Sequence, residues 1–111
     1  MTMTKPWMLV LLCVLGGCSI AVTAQNRPTP VRTELAPGIF LFTTPGYGDV
    51  GLDGNSVVVL SNDGVLVFDS NGTPAASAAI LTEIRRLTEQ PVRYVVNSHW
   101  HWDHWYGTET Y

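Results

Sequence analysis

The sequence predicts an α/β fold in which a mixed sheet carries one covering helix. Two pairs of β-prone runs are each separated by a turn signal, which predicts two antiparallel hairpins. A segment with helical spacing of its apolar residues lies between the last of these runs and a further apolar run. The order strand, helix, strand predicts a right-handed crossover between two parallel strands. Antiparallel and parallel pairs are therefore expected in one sheet.

The first hairpin follows a polar spacer at residues 25–30, which contains two prolines. Residues 31–35 and 39–43 are β-prone runs, and the turn signal Ala36-Pro37-Gly38 separates them. Residues 45–54 contain four glycines and are predicted to be loop. This loop is either a mobile flap or simply a flexible connection.

The second hairpin is predicted from residues 56–61 and 65–68, which flank Asn62-Asp63-Gly64. Asp-Gly between two β-branched runs is a strong hairpin signal. The runs are apolar without clean alternation, which predicts strands covered on both faces. The second strand ends at Asp69.

The predicted helix has a clear beginning and a clear end. Thr73 is a suitable N-cap, and Pro74 occupies the first helical position, where its missing N–H has no consequence. Pro91 ends the helix, and residues 92–96 form the next predicted strand. The face that packs on the sheet is an apolar stripe of Ile80, Leu81, Ile84 and Leu87.

The N-terminus predicts an exported protein, either periplasmic or secreted. Lys5 precedes an uninterrupted apolar run at residues 7–15, and small residues follow from Gly16. This pattern is typical of a secretory signal peptide. The run is well short of the roughly 20 residues that span a bilayer.

Two cleavage sites remain open. Val22-Thr23-Ala24 fits ordinary signal peptidase and predicts a signal peptide at residues 1–24. Leu15-Gly16-Gly17-Cys18 instead resembles the lipobox of bacterial lipoproteins. In that case residues 1–17 are removed, and a lipid on Cys18 anchors the protein to a membrane. Because Cys13 is the only other cysteine, the folded part has neither a disulfide nor a thiolate metal ligand.

The charge distribution argues against a nucleic-acid partner. Only 14% of the residues are charged. Without residues 1–24, the chain has five arginines and nine acidic residues, so its net charge is about −4. No Lys/Arg cluster remains to contact phosphates. A small-molecule substrate is the expected partner, and the sequence leaves the oligomeric state open.

All three histidines of the chain fall within six positions that come directly after the last predicted strand. In an extended segment, residues two apart point to the same side. A turn at the end of this segment would bring its last histidine back to that side. Trp100 and Trp102 would then lie on the other side, bury apolar area and limit the access of water. The converging side chains are those of His99, His101, Asp103 and His104.

These residue types suit a metal ion. Neutral imidazole and carboxylate bind zinc at about 2.0–2.2 Å, and without a thiolate the site also suits iron or manganese. Zinc lowers the pKa of a bound water to about 7, and two ions about 3.5–4 Å apart can share it. The alternative is a surface loop with ordinary histidines beside core tryptophans. Four ligand-type residues in one short window favour the metal site.

The pattern His99-x-His101-x-Asp103-His104 matches the HxHxDH signature of the metallo-β-lactamase superfamily, which the chain resembles over residues 31–111. The resemblance implies that His99 and His101 bind a first metal ion. It implies that Asp103 and His104 bind a second ion, with Asp103 also orienting the attacking water as the catalytic residue. Zinc, as two ions, is the cofactor that the resemblance favours.

The resemblance also implies a fold, namely the N-terminal half of a four-layer αββα sandwich. Asp69 matches the aspartate that ends an early strand of the family and supports the site from behind the ligands. The alternative is that Asp69 is simply a turn residue.

The chain departs from the family beyond the motif. Family members supply a third histidine, a bridging aspartate and a last histidine from their later half, whereas Glu109 is the only ligand candidate after His104. We therefore expect residues 31–111 to be a truncated domain whose C-terminal half is absent. Two ligands per ion fall below the three of a catalytic zinc. We expect this chain alone to be weakly folded, aggregation-prone and inactive, with a wide apolar face exposed.

The function implied by the resemblance is hydrolysis, in which a metal-bound hydroxide attacks an ester, thioester, lactone or lactam. Two other functions stay open. Relatives with the same motif hold iron and act as oxidoreductases, and a truncated chain can also be a product without function.

Overall fold

The computed structural model describes residues 28–46 and 53–111. The predicted signal peptide, the cleavage sites, the first half of the spacer and the middle of the glycine-rich loop lie outside these ranges. Within them, no helix is long and apolar enough to cross a membrane. The elements are β1 (Val31–Ala36), β2 (Ile39–Thr43), β3 (Ser56–Ser61), β4 (Gly64–Phe68), α1 (Pro74–Leu87), β5 (Val92–Val96), α2 (Trp102–Trp105) and a 3₁₀ turn (Thr108–Thr110).

The described strands form one mixed sheet in the order β1-β2-β3-β4-β5, which confirms the predicted fold class. The first four strands are antiparallel neighbours, and β4 pairs with β5 in parallel. The β3–β4 turn is tighter than predicted, because Gly64 already pairs with Ser61. Gly64 has a φ of 135°, which only glycine adopts readily, so the strand can begin directly at this residue.

Helix α1 begins as the sequence predicts. Thr73 has extended backbone angles, and its hydroxyl oxygen accepts a hydrogen bond from the Ala76 N–H at 3.1 Å. Pro74 occupies the first turn. Arg85 and Arg86 lie in the last turn, where positive charge favours the helix dipole. The helix end is tied down by the Thr88 N–H, which donates to the Ile84 carbonyl at 3.0 Å.

The hydrophobic core lies between α1 and one face of the sheet. Ile80 and Ile84 of the predicted helical stripe are fully buried there, and burial of each such side chain contributes roughly 1.5–3 kcal/mol. Leu87 is only partly buried at the edge of this cluster. The core is thus one cluster of buried side chains between α1 and the sheet, formed by Phe40, Phe42, Val58, Val65, Val67, Ile80 and Ile84.

The opposite face of the sheet is apolar and open. The prediction that the strands are covered on both faces is wrong for the described residues. Phe68 is 40% exposed, Tyr94 65% and Val96 41%, although all three are large hydrophobic side chains. The register explains their grouping, since Phe68 pairs with Val96 and Leu66 pairs with Tyr94 on the same face. Helix α1 therefore covers only one of the two apolar faces of these strands.

Candidate metal centre

The histidine motif lies where the two parallel strands end side by side. Phe68 of β4 and Val96 of β5 are paired, and the Asp69 N–H donates to the Val96 carbonyl at 2.7 Å. The chain after β4 and the chain after β5 therefore leave the sheet at the same edge, where open α/β sheets place their ligands. Asp69 thereby comes next to Ser98, although the two are far apart in sequence.

The motif does not remain extended as far as Asp103. His101 has extended backbone angles and occupies the N-cap position of α2 without a side-chain capping hydrogen bond, and the helical turn begins at Trp102. The His104 N–H donates to the His101 carbonyl at 3.0 Å, which closes this turn. The expectation of an extended segment that turns only at Asp103 is therefore wrong, because residues 98–100 already form a bend and the helical turn begins at Trp102. The helical turn brings His104 back towards the side of His99.

The imidazoles of the motif lie close together. The ring centroid of His99 is 4.7 Å from that of His101 and 4.1 Å from that of His104. Oδ2 of Asp103 lies 3.3 Å from Nε2 of His104. The structure thus brings the four predicted side chains into one small region beside the end of β5.

Asp69 is buried beside these side chains and forms hydrogen bonds with two residues of this region. Its side chain accepts hydrogen bonds from the Ser98 N–H at 2.6 Å and from the Ser98 hydroxyl at 2.8 Å. Its Oδ2 also lies 2.8 Å from Nδ1 of His104. Burial by itself raises the pKa of the Asp69 carboxyl, but the hydrogen bonds from Ser98 and His104 outweigh burial and hold that pKa below its ordinary value of 3.8. The carboxylate is therefore ionised at neutral pH.

The hydrogen bonds of Asp69 determine which nitrogens of two rings carry the proton. A carboxylate only accepts, so Nδ1 of His104 must donate to Asp69. The Ser98 hydroxyl gives its proton to Asp69 and so accepts from Nδ1 of His99, 2.8 Å away. A neutral imidazole that carries its proton on Nδ1 has its lone pair on Nε2, which is the nitrogen that can bind a metal. Sequence reasoning missed Ser98, although a hydroxyl residue directly before the motif was a usable signal.

The donor set fits zinc by its chemistry. Three imidazoles and one carboxylate are ligands that zinc prefers, and the hydrogen bonds at Nδ1 of His99 and of His104 leave Nε2 of each ring as the nitrogen that could bind an ion. In the part of the chain that the structure describes, however, no three or more His, Cys, Asp or Glu side chains are already arranged to hold an ion. Binding therefore requires small side-chain adjustments, such as separation of His104 Nε2 from Asp103 Oδ2.

The two tryptophans of the motif remain largely or half exposed in this structure. Trp100 is 80% exposed and Trp102 48% exposed, so the expectation that they shield the site from water is not met by the described residues. Trp100 instead lies beside the His101 ring, with centroids 4.6 Å apart, and its carbonyl accepts from the Trp105 indole N–H at 2.7 Å.

The loop from β4 to α1 is hydrogen-bonded to α2 through Ser70. The Ser70 N–H donates to the His104 carbonyl at 2.8 Å, and the Ser70 hydroxyl lies 2.8 Å from that of Thr108. Sequence reasoning treated residues 69–72 as a possible simple turn and missed Ser70. No pattern in the sequence marks this contact, because it depends on how two distant segments pack.

Comparison with known proteins agrees with this geometry. A family model described as the metallo-beta-lactamase superfamily matches residues 49–110, more than half of the chain. The chain belongs to the metallo-beta-lactamase superfamily. The match supports a family of metal-dependent hydrolases. A search of curated proteins found no significant match.

Solved structures show the same fold. The metallo-beta-lactamase FIM-1 from Pseudomonas aeruginosa, in its mono-zinc form, is 20% identical with a TM-score of 0.65, over 76% of this chain and 38% of that one. A metallo-beta-lactamase from Hirschia baltica is 19% identical with a TM-score of 0.64, over 75% of this chain and 39% of that one. The chain thus spans less than two fifths of the length of these metallo-beta-lactamases and matches part of their fold.

Proposed function

We propose that this chain carries the first part of a zinc-dependent hydrolase site, in which His99, His101, Asp103 and His104 are metal ligands. The observation that carries the proposal is the hydrogen-bonded link from Asp69 to His104 and, through Ser98, to His99. A buried carboxylate that orients two imidazoles is typical of the surroundings of a bound metal, because it sets the tautomer and strengthens the ligand.

The roles follow from the position of each group. His99 and His101 lie between β5 and α2 and would hold one ion, whereas Asp103 and His104 lie on the turn of α2 and would hold a second. Zinc bound there supplies Lewis-acid chemistry, since it polarises a carbonyl and lowers the pKa of water. The carboxylate of Asp103 is partly exposed, so it can also orient the water that attacks the substrate.

The proposed substrates are small molecules with an ester, thioester, lactone or lactam bond. All four contain a carbonyl that water attacks, and the family fold alone does not distinguish among them. The net charge of the chain is −3, and it has no basic cluster that would favour a nucleic-acid substrate.

We also propose that the protein is exported, because residues 1–24 have the composition of a signal peptide. Mass spectrometry of the mature N-terminus in the producing cell tests this. A start at Gln25 supports cleavage by ordinary signal peptidase, whereas a lipidated Cys18 supports a membrane anchor. An intact Met1 contradicts export.

The hydrolase proposal is tested with the 111-residue chain, loaded with Zn²⁺ and offered one model substrate of each of the four classes. The matched control is Asp103→Asn, which preserves shape but removes the charge. We expect zinc to bind, and any turnover to require both zinc and the Asp103 carboxylate. Because the chain contributes only two ligands per ion, we expect no turnover above the background rate of free Zn²⁺. Turnover that is unchanged in Asp103→Asn, or that proceeds equally with zinc removed, contradicts the proposal.

A further inference from the structure

Asn71 is an unusual residue at the start of the loop that leads to α1. It is fully buried, and its φ is 72°, in the left-handed region that L residues rarely adopt. Asparagine tolerates this conformation better than most residues, but glycine tolerates it best. The side chain of Asn71 therefore needs an explanation beyond backbone conformation.

The amide of Asn71 uses both of its ends in hydrogen bonds. Its Nδ2 donates to the Gly54 carbonyl at 2.7 Å and to the Thr44 hydroxyl oxygen at 3.0 Å. Its Oδ1 accepts from the Gly72 N–H at 2.8 Å. Thr44 and Gly54 lie on either side of the glycine-rich loop. Asn71 thus ties both ends of that loop to the end of β4.

Gly54 in turn packs directly on the backbone of Asp103. A Cβ atom at Gly54 would collide with the Asp103 carbonyl oxygen and lie 2.8 Å from the carbonyl carbon. The two backbones therefore meet at a distance that only glycine allows. On the other side of α2, the main-chain carbonyl of Asn71 accepts from the Gly107 N–H at 3.2 Å.

We propose that Asn71 is a positioning residue that acts through Gly54, holding the turn of α2 so that the Asp103 carboxylate lies where it can bind metal. The inference rests on the proposed function in one respect only, namely that Asp103 is a ligand. That Asn71 holds the α2 turn is a separate statement and can be tested without any metal.

Three variants of the 111-residue chain separate the possible roles of Asn71. Asn71→Asp keeps the acceptor for Gly72 but places a carboxylate oxygen against the Gly54 carbonyl. Asn71→Gly adopts the positive φ without strain and lacks the side chain. Asn62→Asp is the matched control, because it makes the same chemical change in the exposed β3–β4 turn.

The first measurement is hydrogen exchange of the metal-free chain. We expect the α2 amides of His104 and Tyr106 to exchange about tenfold faster in both Asn71 variants, since buried hydrogen bonds are lost. Amides of the β3–β4 hairpin and the whole of Asn62→Asp should exchange like wild type. Wild-type exchange in Asn71→Gly would show that only the backbone conformation matters and would overturn the proposal. Uniformly faster exchange throughout the hairpin would overturn it too, because Asn71 would then stabilise the whole fold.

The second measurement is the visible absorption of Co²⁺ added to each variant, which reports the geometry of the ligands. We expect altered bands in both Asn71 variants and a wild-type spectrum in Asn62→Asp. Wild-type bands in both Asn71 variants would contradict positioning of Asp103. If wild type itself gives no ligand-field bands, the proposed metal function fails, while hydrogen exchange still decides whether Asn71 holds α2.

Discussion

Oδ2 of Asp69 lies 2.8 Å from Nδ1 of His104, and the two residues are joined across the edge of the sheet although 35 positions separate them in sequence. The parallel pairing of β4 and β5 creates this contact, because it brings the ends of both strands to one edge. The same carboxylate holds Ser98, so one buried charge organises two imidazoles. A change at Asp69 is therefore expected to disturb both rings at once.

Replacement of Asp69 by Asn removes the charge that orients His104. We expect Zn²⁺ affinity to fall about 10–100-fold. Loss of the charge-assisted hydrogen bonds should also lower the free energy of unfolding by about 1.5–3 kcal/mol. Calorimetric titration and urea unfolding measure the two effects. Asp63→Asn, the same change in the exposed β3–β4 turn, is the control and should have neither effect. Equal zinc affinity in Asp69→Asn and wild type would contradict the role of Asp69.

Replacement of Ser98 by Ala breaks the link between Asp69 and His99. The His99 ring then loses the acceptor for its Nδ1 proton, so we expect a mixture of tautomers and a roughly tenfold loss in Zn²⁺ affinity. The ¹⁵N shifts of the His99 ring report the tautomer. Ser98→Thr keeps the hydroxyl and should restore the wild-type shifts. If Ser98→Ala leaves the His99 shifts unchanged, the proposed hydrogen-bond relay is wrong.

Truncation of Ile84 tests which face of the sheet is the core. Ile84 is 1% exposed between α1 and the sheet, so Ile84→Ala should lower the free energy of unfolding by about 2–5 kcal/mol. Tyr94 on the open face is 65% exposed, and Tyr94→Ser should change stability by no more than about 0.5 kcal/mol. Urea unfolding measures both. A larger loss in Tyr94→Ser than in Ile84→Ala would show that the open face is covered.

The buried hydroxyl of Tyr111 should lower the free energy of unfolding at alkaline pH. Its hydroxyl is buried without a hydrogen-bond partner among the described residues. Burial raises its pKa above the ordinary value of 10.0, and the nearby Ser77 hydroxyl lowers it only in part. Because the folded state resists ionisation, this contribution to stability is intact below the ordinary pKa and is lost as the pH rises above it. Tyr111→Phe cannot ionise, so it should unfold less readily than wild type above pH 10 and be within about 1 kcal/mol of wild type at pH 7. Identical pH profiles of unfolding would contradict this account.

The regular elements could be predicted from the sequence because local signals determine them. Thr73 and Pro74 mark the beginning of the helical segment, and Asp63-Gly64 marks the second hairpin. The helix ends at Leu87, before the predicted stop at Pro91. The order strand, helix, strand predicted the parallel pair and, with it, the location of the motif at the end of β5. The spacing of the histidines indicated that their side chains converge, since residues two apart share a side of an extended chain.

The remaining features depend on contacts between segments that are distant in sequence. The bond from Ser98 to Asp69 needs the pairing of β4 with β5, and that from Asn71 to Gly54 needs the pairing of β3 with β4, so no local pattern indicates them. The helical turn at Trp102 was missed because alternation of histidine and tryptophan imitates a strand. An exposed apolar face was expected for this chain, whereas the apolar strands by themselves predicted cover on both faces, because an apolar run indicates burial without saying which layer provides the cover.

The central claim, that the motif is a zinc site, is tested most directly by calorimetric titration of the 111-residue chain with Zn²⁺. The comparison is with a variant in which His99, His101, Asp103 and His104 are all alanine. We predict saturable binding by wild type that the variant lacks. Equal heats for both proteins, or no saturable binding by wild type, would contradict the claim.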